Sequence, residues 1–113
     1  MKLGRRLCTE LTRRVVERTP VDTGEARGGW NPAINTIDFT ADGALDKTGA
    51  GVIAEAQRVV ATMQAGDEYS CANSVGHISV LEYGWSKQAP AGMLRVTIAE
   101  APSIWREIVS GRL

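Results

Sequence analysis

The sequence predicts a mixed α+β domain, and three observations predict it. A helical period runs through the first eighteen residues, β-branched and alternating segments occupy the middle, and a second long helical pattern closes the chain. A length of 113 residues suits a single domain over residues 1–113. A chain of that size buries roughly two thirds of its unfolded surface, so its core needs neither metal nor disulfide. The core is lean in rings, with three Trp, two Tyr and one Phe. Twelve glycines, against the roughly 8 that average usage gives, point to many turns.

Leu3, Leu7, Leu11 and Val15 recur every four residues, with Cys8 and Val16 widening the stripe. This spacing predicts a helix over about 3–18 with most arginines off the apolar face. Thr19-Pro20 ends it, because the residue before a proline avoids the α region. Pro20-Val21-Asp22-Thr23-Gly24 reads as a turn, in which Pro sets φ, Asp bonds the backbone ahead and Gly permits positive φ. Glu25 to Trp30 fits a helical turn or the start of a strand, and Gly28-Gly29 weakens both.

Residues 33–40 are rich in strand formers and close with Ala41-Asp42-Gly43. Val52, Ala56, Val59, Val60 and Met63 share one helical face, with Glu55, Arg58 and Gln64 toward water, and Ala65-Gly66-Asp67 stops that helix. Residues 68–75 alternate as a strand, and Ile78, Leu81 and Glu82 suggest a short helical segment ended by Gly84. In the last third Leu94, Val96 and Ile98 alternate like a strand, whereas Met93, Val96, Thr97, Ala101, Ile104, Trp105 and Ile108 fit a helix. Pro90 suits a helix start, and Pro102 removes an internal hydrogen bond. The reading is a helix over about 91–110, bent near Pro102.

Thirteen basic and thirteen acidic side chains cancel, which removes the positive excess of a basic nucleic-acid binder. No apolar run approaches the roughly 18 residues of a membrane span, and the basic first turns do not read as a secretory signal. Cys8 and Cys71 read as reduced thiols of a soluble intracellular domain. The cancellation is uneven: residues 1–18 carry a net +4, 19–30 a net −1, 31–82 a net −5 and the remainder +2. Two accounts are open. The fold neutralises itself, or a copy placed alongside satisfies the charges, since opposite patches steer association and fix register.

Little in the chain spells catalysis. His77 has no sequence-local partner that would make it a base, and Ser70, Ser74, Ser79 and Ser86 sit in no nucleophile elbow. One His and two Cys do not match zinc spacing, and the glycines form neither a phosphate loop nor a dinucleotide fingerprint. Asp22 serves a turn more simply than it serves a carboxylate pair with Glu25. The expectation is a protein with no catalytic residue, no metal and no cofactor, and not an enzyme. Arg5-Arg6 and Arg13-Arg14 lie eight residues apart, which returns within about 80° of the same helix face. That strip is a possible electrostatic contact, and it supports the alternative of a small nucleic-acid-binding or regulatory module. No aromatic residue interleaves with the arginines, as a stacking platform would require.

Two segments are denser in pattern than the rest. The first is the N-terminal helix running into Pro20, Val21, Asp22, Thr23 and Gly24, followed by Arg27 and Trp30. The second runs from Val80 through Leu81, Glu82, Tyr83, Gly84, Trp85, Ser86, Lys87, Gln88, Ala89, Pro90 and Ala91 to Gly92 and Met93. In this order and separation they resemble the tail-component family of lambdoid and related long-tailed bacteriophages, the neck or tail-completion proteins of the head–tail junction. The resemblance implies an α+β domain with a long N-terminal helix, a small mainly antiparallel sheet of three to four strands and a C-terminal helix. It implies a structural virion protein that completes the tail or neck, acting as a ring or other multi-copy assembly around the DNA path. Its partners would be further copies of itself and the neck, connector and tail-tube or terminator proteins. DNA would pass without sequence-specific binding, no membrane would be involved, and assembly would take place in the host bacterial cytoplasm.

Overall fold

The computed structural model describes residues 2–20, 25–38, 46–73 and 92–113. Six elements follow in order: α1 (Lys2–Arg18), α2 (Glu25–Gly28), β1 (Trp30–Ile34), α3 (Ala50–Ala61), β2 (Tyr69–Asn73) and α4 (Leu94–Val109). α1 packs against both α3 and α4, and α3 packs against β1. The two strands pair antiparallel, with Trp30 opposite Asn73, Pro32 opposite Cys71 and Ile34 opposite Tyr69. The fold is therefore α+β with a long helix near each end.

α1 forms where its spacing predicts, but its leucine stripe is not its buried line. Leu3 is exposed and Leu7 and Leu11 are half-buried, while Thr12, Val15 and Val16 are buried. Burial concentrates in the second half of α1, where Val15 and Val16 join Trp30, Val52 and Met93 in one cluster. α3 follows its pattern more closely, with Val52, Ala56 and Val60 buried and Val59 half-buried, but it ends at Ala61 rather than at Ala65-Gly66-Asp67, so the buried Met63 lies just beyond it. Asp46 fixes its start: one carboxylate oxygen accepts from the Gly51 and Val52 N–H groups at 3.0 and 3.2 Å, the other from Gly49 at 3.0 Å. These are donors that a helix start leaves without intrahelical partners. Gly49 adopts φ 76, and a Cβ there would stand 2.4 Å from Cγ1 of Val16, so no other residue lets α3 approach α1 so closely.

The stretch left open between helix and strand is both, a helical turn over Glu25–Gly28 and then β1 from Trp30. The strand expected over residues 33–40 is corrected to Trp30–Ile34. Asn35 ends it by turning to φ 59, a left-handed conformation that Asn tolerates better than most residues. Its N–H donates to the Glu68 carbonyl at 2.7 Å, and its side chain bonds the Glu68 N–H and the Asp67 carboxylate at 2.9 and 3.0 Å. Thr36 and Ile37 are strand formers placed after that turn, so their propensity has no ladder to join. Among the described residues the sheet has two strands, not the expected three to four. The strand expected over 68–75 is Tyr69–Asn73, and the short helical segment expected at 78–84 lies outside the described residues.

α4 settles the conflict in the last third as a helix. It starts later than expected because Gly92 takes φ 84, and it runs as one helix across Pro102. Thr97, Ile104 and Ile108 form its buried line. Pro102 is exposed in the helix interior, where it denies the Ile98 carbonyl its usual donor at a cost of up to about 3 kcal/mol. Pro102→Ala is expected to stabilise the fold by about 1–3 kcal/mol, read as a higher urea midpoint at unchanged slope. An unchanged or lower midpoint would show that the proline is compensated by its surroundings.

Candidate functional site

The described part of the first motif is built around Thr19, which is fully buried. Its hydroxyl donates to the Val15 carbonyl at 2.7 Å and accepts from the Trp30 indole N–H at 3.0 Å. Its N–H donates to the Val16 carbonyl, and its own carbonyl accepts Nε–H of Arg27 at 2.7 Å. The remaining Arg27 donors reach the Glu17 carbonyl at 2.7 Å and the Lys47 carbonyl at 2.8 Å. Arg27 thus places a cation on the carbonyls at the C-terminal end of α1, where both the free acceptors and the helix dipole favour one. Pro20 is buried beside this knot.

The second motif enters through its last residues. Gly92 makes the left-handed turn into α4, and Met93, only 1% exposed, packs in the cluster that holds Trp30, Val15, Val16 and Val52. The described ends of the two motifs therefore meet in one core. Val21, Asp22, Thr23 and Gly24 lie outside the described residues, as do His77 and the stretch Leu81, Glu82, Tyr83, Gly84, Trp85, Ser86, Gln88, Ala89 and Pro90.

The arginine strip of α1 is closed on the chain itself. Arg13 pairs with Glu10 and, at 2.9 Å, with Glu17, while Arg14 pairs with Glu10 at 2.7 Å and with Glu100 of α4 at 3.4 Å. Arg18 pairs with Glu100 too. Burial works to raise the Glu10 carboxyl, but hydrogen bonds from Arg14 and Arg13 outweigh it and hold the group below the usual range. Glu100 is lowered by its hydrogen bond from Arg18. Arg5 donates Nε–H to the Met63 carbonyl at 2.9 Å, just beyond α3, and Arg6 donates to the Leu113 backbone oxygen. Every ion pair of α1 among the described residues is thus with its own glutamates or with Glu100. None reaches the acidic middle of the chain.

Two concave regions are lined by described residues. One of about 480 Å³ lies between the first half of α1 and the ends of α3 and α4, with Arg5, Arg6, Thr9, Glu10 and Gln57 on its walls. The other, about 140 Å³, opens between α1, α4 and the sheet and includes Thr12, Tyr69, Cys71 and Ile98. Tyr69 shares a 2.6 Å hydrogen bond with the Thr12 hydroxyl. Burial pushes the Tyr69 phenol well above its ordinary value, pushes the Cys71 thiol up to about 12 and raises the Cys8 thiol. Protonated thiols are poor nucleophiles. Among the described residues no group of three His, Cys, Asp or Glu is placed to hold a metal ion, and no helix is long and apolar enough to cross a membrane.

Sequence reasoning missed two features. The buried polar side chains Thr12, Thr19 and Thr97 each donate to a carbonyl four residues back, at 2.7–2.8 Å. Each hydroxyl also bonds a second side chain: Tyr69, Trp30 and Arg18 respectively. The signal was their place on the helical faces that carry Val15, Val16 and Ile104. Leu94, Ile98, Trp105 and Val109 are all exposed, although the sequence reading grouped Trp105 in one helical pattern with Met93, Thr97, Ile104 and Ile108, which are buried. They recur at helical spacing as a second apolar stripe on α4. Comparison of the chain with family models, with curated proteins and with solved structures returns no match.

Thr19→Val leaves the buried Trp30 N–H without an acceptor and is expected to cost about 1–3 kcal/mol in urea unfolding, with Thr19→Ser recovering most of it. A neutral Thr19→Val would remove the knot from the account of stability. The raised Tyr69 and Cys71 groups set an alkaline limb. Each keeps its proton in the folded chain at a pH where the unfolded chain has lost it, so their contribution is whole below the unfolded values. It then declines as pH rises toward the folded ones. Stability is expected to fall from about pH 9 upward, and Cys71→Ala to make that fall shallower in unfolding measured from pH 7 to 11.

Proposed function

We propose that the chain is a structural virion protein of a tailed bacteriophage, completing the tail or neck and helping to join head to tail by stoichiometric multi-copy assembly around the DNA path. The exposed apolar stripe of α4 carries this reading. Leu94, Ile98, Trp105 and Val109 lie along one flank of the helix, beside the line of Thr97, Ile104 and Ile108 that is already packed, as suits a subunit that buries more surface on assembly. The two sequence motifs supply the phage context, and the residues of theirs that are described, Pro20, Arg27, Trp30, Gly92 and Met93, serve architecture rather than chemistry. The partners on this reading are further copies and the neck, connector and tail-tube or terminator proteins. DNA passes through without sequence-specific contact.

The arginines that would have carried nucleic-acid binding are held by Glu10, Glu17, Glu100 and backbone oxygens, which favours the structural reading over the regulatory one. Deletion of the gene from its phage or prophage is expected to leave filled heads and complete-length tails that fail to join, visible by electron microscopy, with joining restored by the gene in trans. Normal infectious particles from the deletion would overturn the proposal.

A further inference from the structure

α4 carries two apolar lines. Thr97, Ile104 and Ile108 face the core, whereas Ile98 is 60% and Val109 56% exposed, with Trp105 between them. At about 100° per residue these three lie within about 40° of one another. Arg106 borders them, its guanidinium bonding Ser103 at 3.1 Å, and Arg112 lies just beyond the helix on Ser110. Glu107 falls about 180° away from Ile98, and Glu100 is bound by Arg14 and Arg18. The stripe is therefore apolar with a basic border.

A surface of the opposite kind stands at the end of the sheet. Ile37 is 61% exposed and follows a turn pinned by the Asn35 N–H on the Glu68 carbonyl and by the Ser70 hydroxyl on the Thr36 carbonyl, at 2.7 and 2.6 Å. The Asn35 side chain bonds the Asp67 carboxylate and the Glu68 N–H, which brings both acidic residues to that corner. Asp67 is held ionised by the Gln64 N–H and the Asn35 amide. Among the described residues neither acid pairs with a cation within the chain. The corner is apolar with an acidic border.

We propose that the α4 stripe of one copy docks on the Ile37 corner of a second copy of this chain, a head-to-tail contact between unlike faces. Ile98, Trp105 and Val109 cover Ile37, and Arg106 meets Glu68 or Asp67 at the rim. A symmetric contact of α4 on α4 would instead bring Arg106 against its own kind, and like charges across an interface are strongly disfavoured. Contacts between unlike faces propagate, and they close into a ring where the rotation permits. The contact rests on the multi-copy reading above and gives that reading its two surfaces.

Sedimentation of the full chain over a range of concentrations tests it. Ile98→Glu and Ile37→Lys, both at exposed positions, are each expected to weaken self-association at least about tenfold with unchanged circular dichroism. An equimolar mixture of the two variants is expected to associate again, because each partner keeps one competent face for the other. Arg106→Glu is expected to weaken association, and adding Glu68→Lys to the same chain to restore it. If the wild type assembles and Ile37→Lys assembles equally well, this contact is overturned while the multi-copy reading stands. A wild type that stays monomeric at every concentration overturns both.

Discussion

A threonine placed one residue beyond the end of the first helix sets the geometry on which the other elements depend. Thr19 closes α1 through its N–H and hydroxyl, receives the Trp30 indole, and offers its carbonyl to Arg27. Three parts of the chain are thereby referred to one buried point: the end of α1, the α2 turn and the first residue of β1. Arg27 extends the reference to Lys47, just ahead of α3. The indole is large and carries one donor, so it enters a core only where that donor finds a partner. Thr19 supplies the partner, and with it the direction from which β1 reaches the core.

The same device appears twice more. Thr12 and Thr97 also give their proton to a carbonyl one turn back and then bond a side chain of another element, Tyr69 and Arg18. Each such bond adds only about 1 kcal/mol net, but a buried group left without a partner costs about 1–3 kcal/mol. Burying one side chain such as Met93 contributes about 1.5–3 kcal/mol. Apolar burial therefore supplies most of the stability, while the threonines penalise arrangements that leave the indole, the phenol or a guanidinium unmatched. Among the described residues no buried side-chain N or O atom lacks a hydrogen bond.

This division explains what was legible in the sequence. α3 is written in Val52, Ala56 and Val60, since a single helical period with one buried face reads directly from spacing. β1 is not. Its buried content is Trp30, Pro32 and Ala33, a poor strand by propensity, and its end is decided by the left-handed Asn35 bonding Asp67 and Glu68 far along the chain. Strand preference largely reports packing on neighbours, and those neighbours are remote in sequence. Arg27 and Trp30 stand out from the sequence as motif residues, yet their common partner Thr19 does not, because a threonine before a proline reads only as a helix end. The width of α4's apolar surface was legible as composition, but which line faces the core depends on where α1 lies.

Closing the basic helix on its own glutamates has a consequence beyond stability. Each phosphate contact a protein makes adds affinity that is relieved only by salt, so a strip of unpaired arginines would grip any polyanion brought near it. In α1 the guanidinium groups of Arg13 and Arg14 already face carboxylates, and Arg5 and Arg6 face backbone oxygens. A subunit proposed to surround moving DNA gains from that arrangement, because sliding requires that no single contact hold. On the proposed contact, the charge used for recognition is instead on the rim of two apolar patches, where it would select the partner and register while the apolar centre would supply the contact area. Neutral overall, the chain thus commits the described arginines of its basic helix to its own fold, and the proposed contact draws instead on its two unlike surfaces.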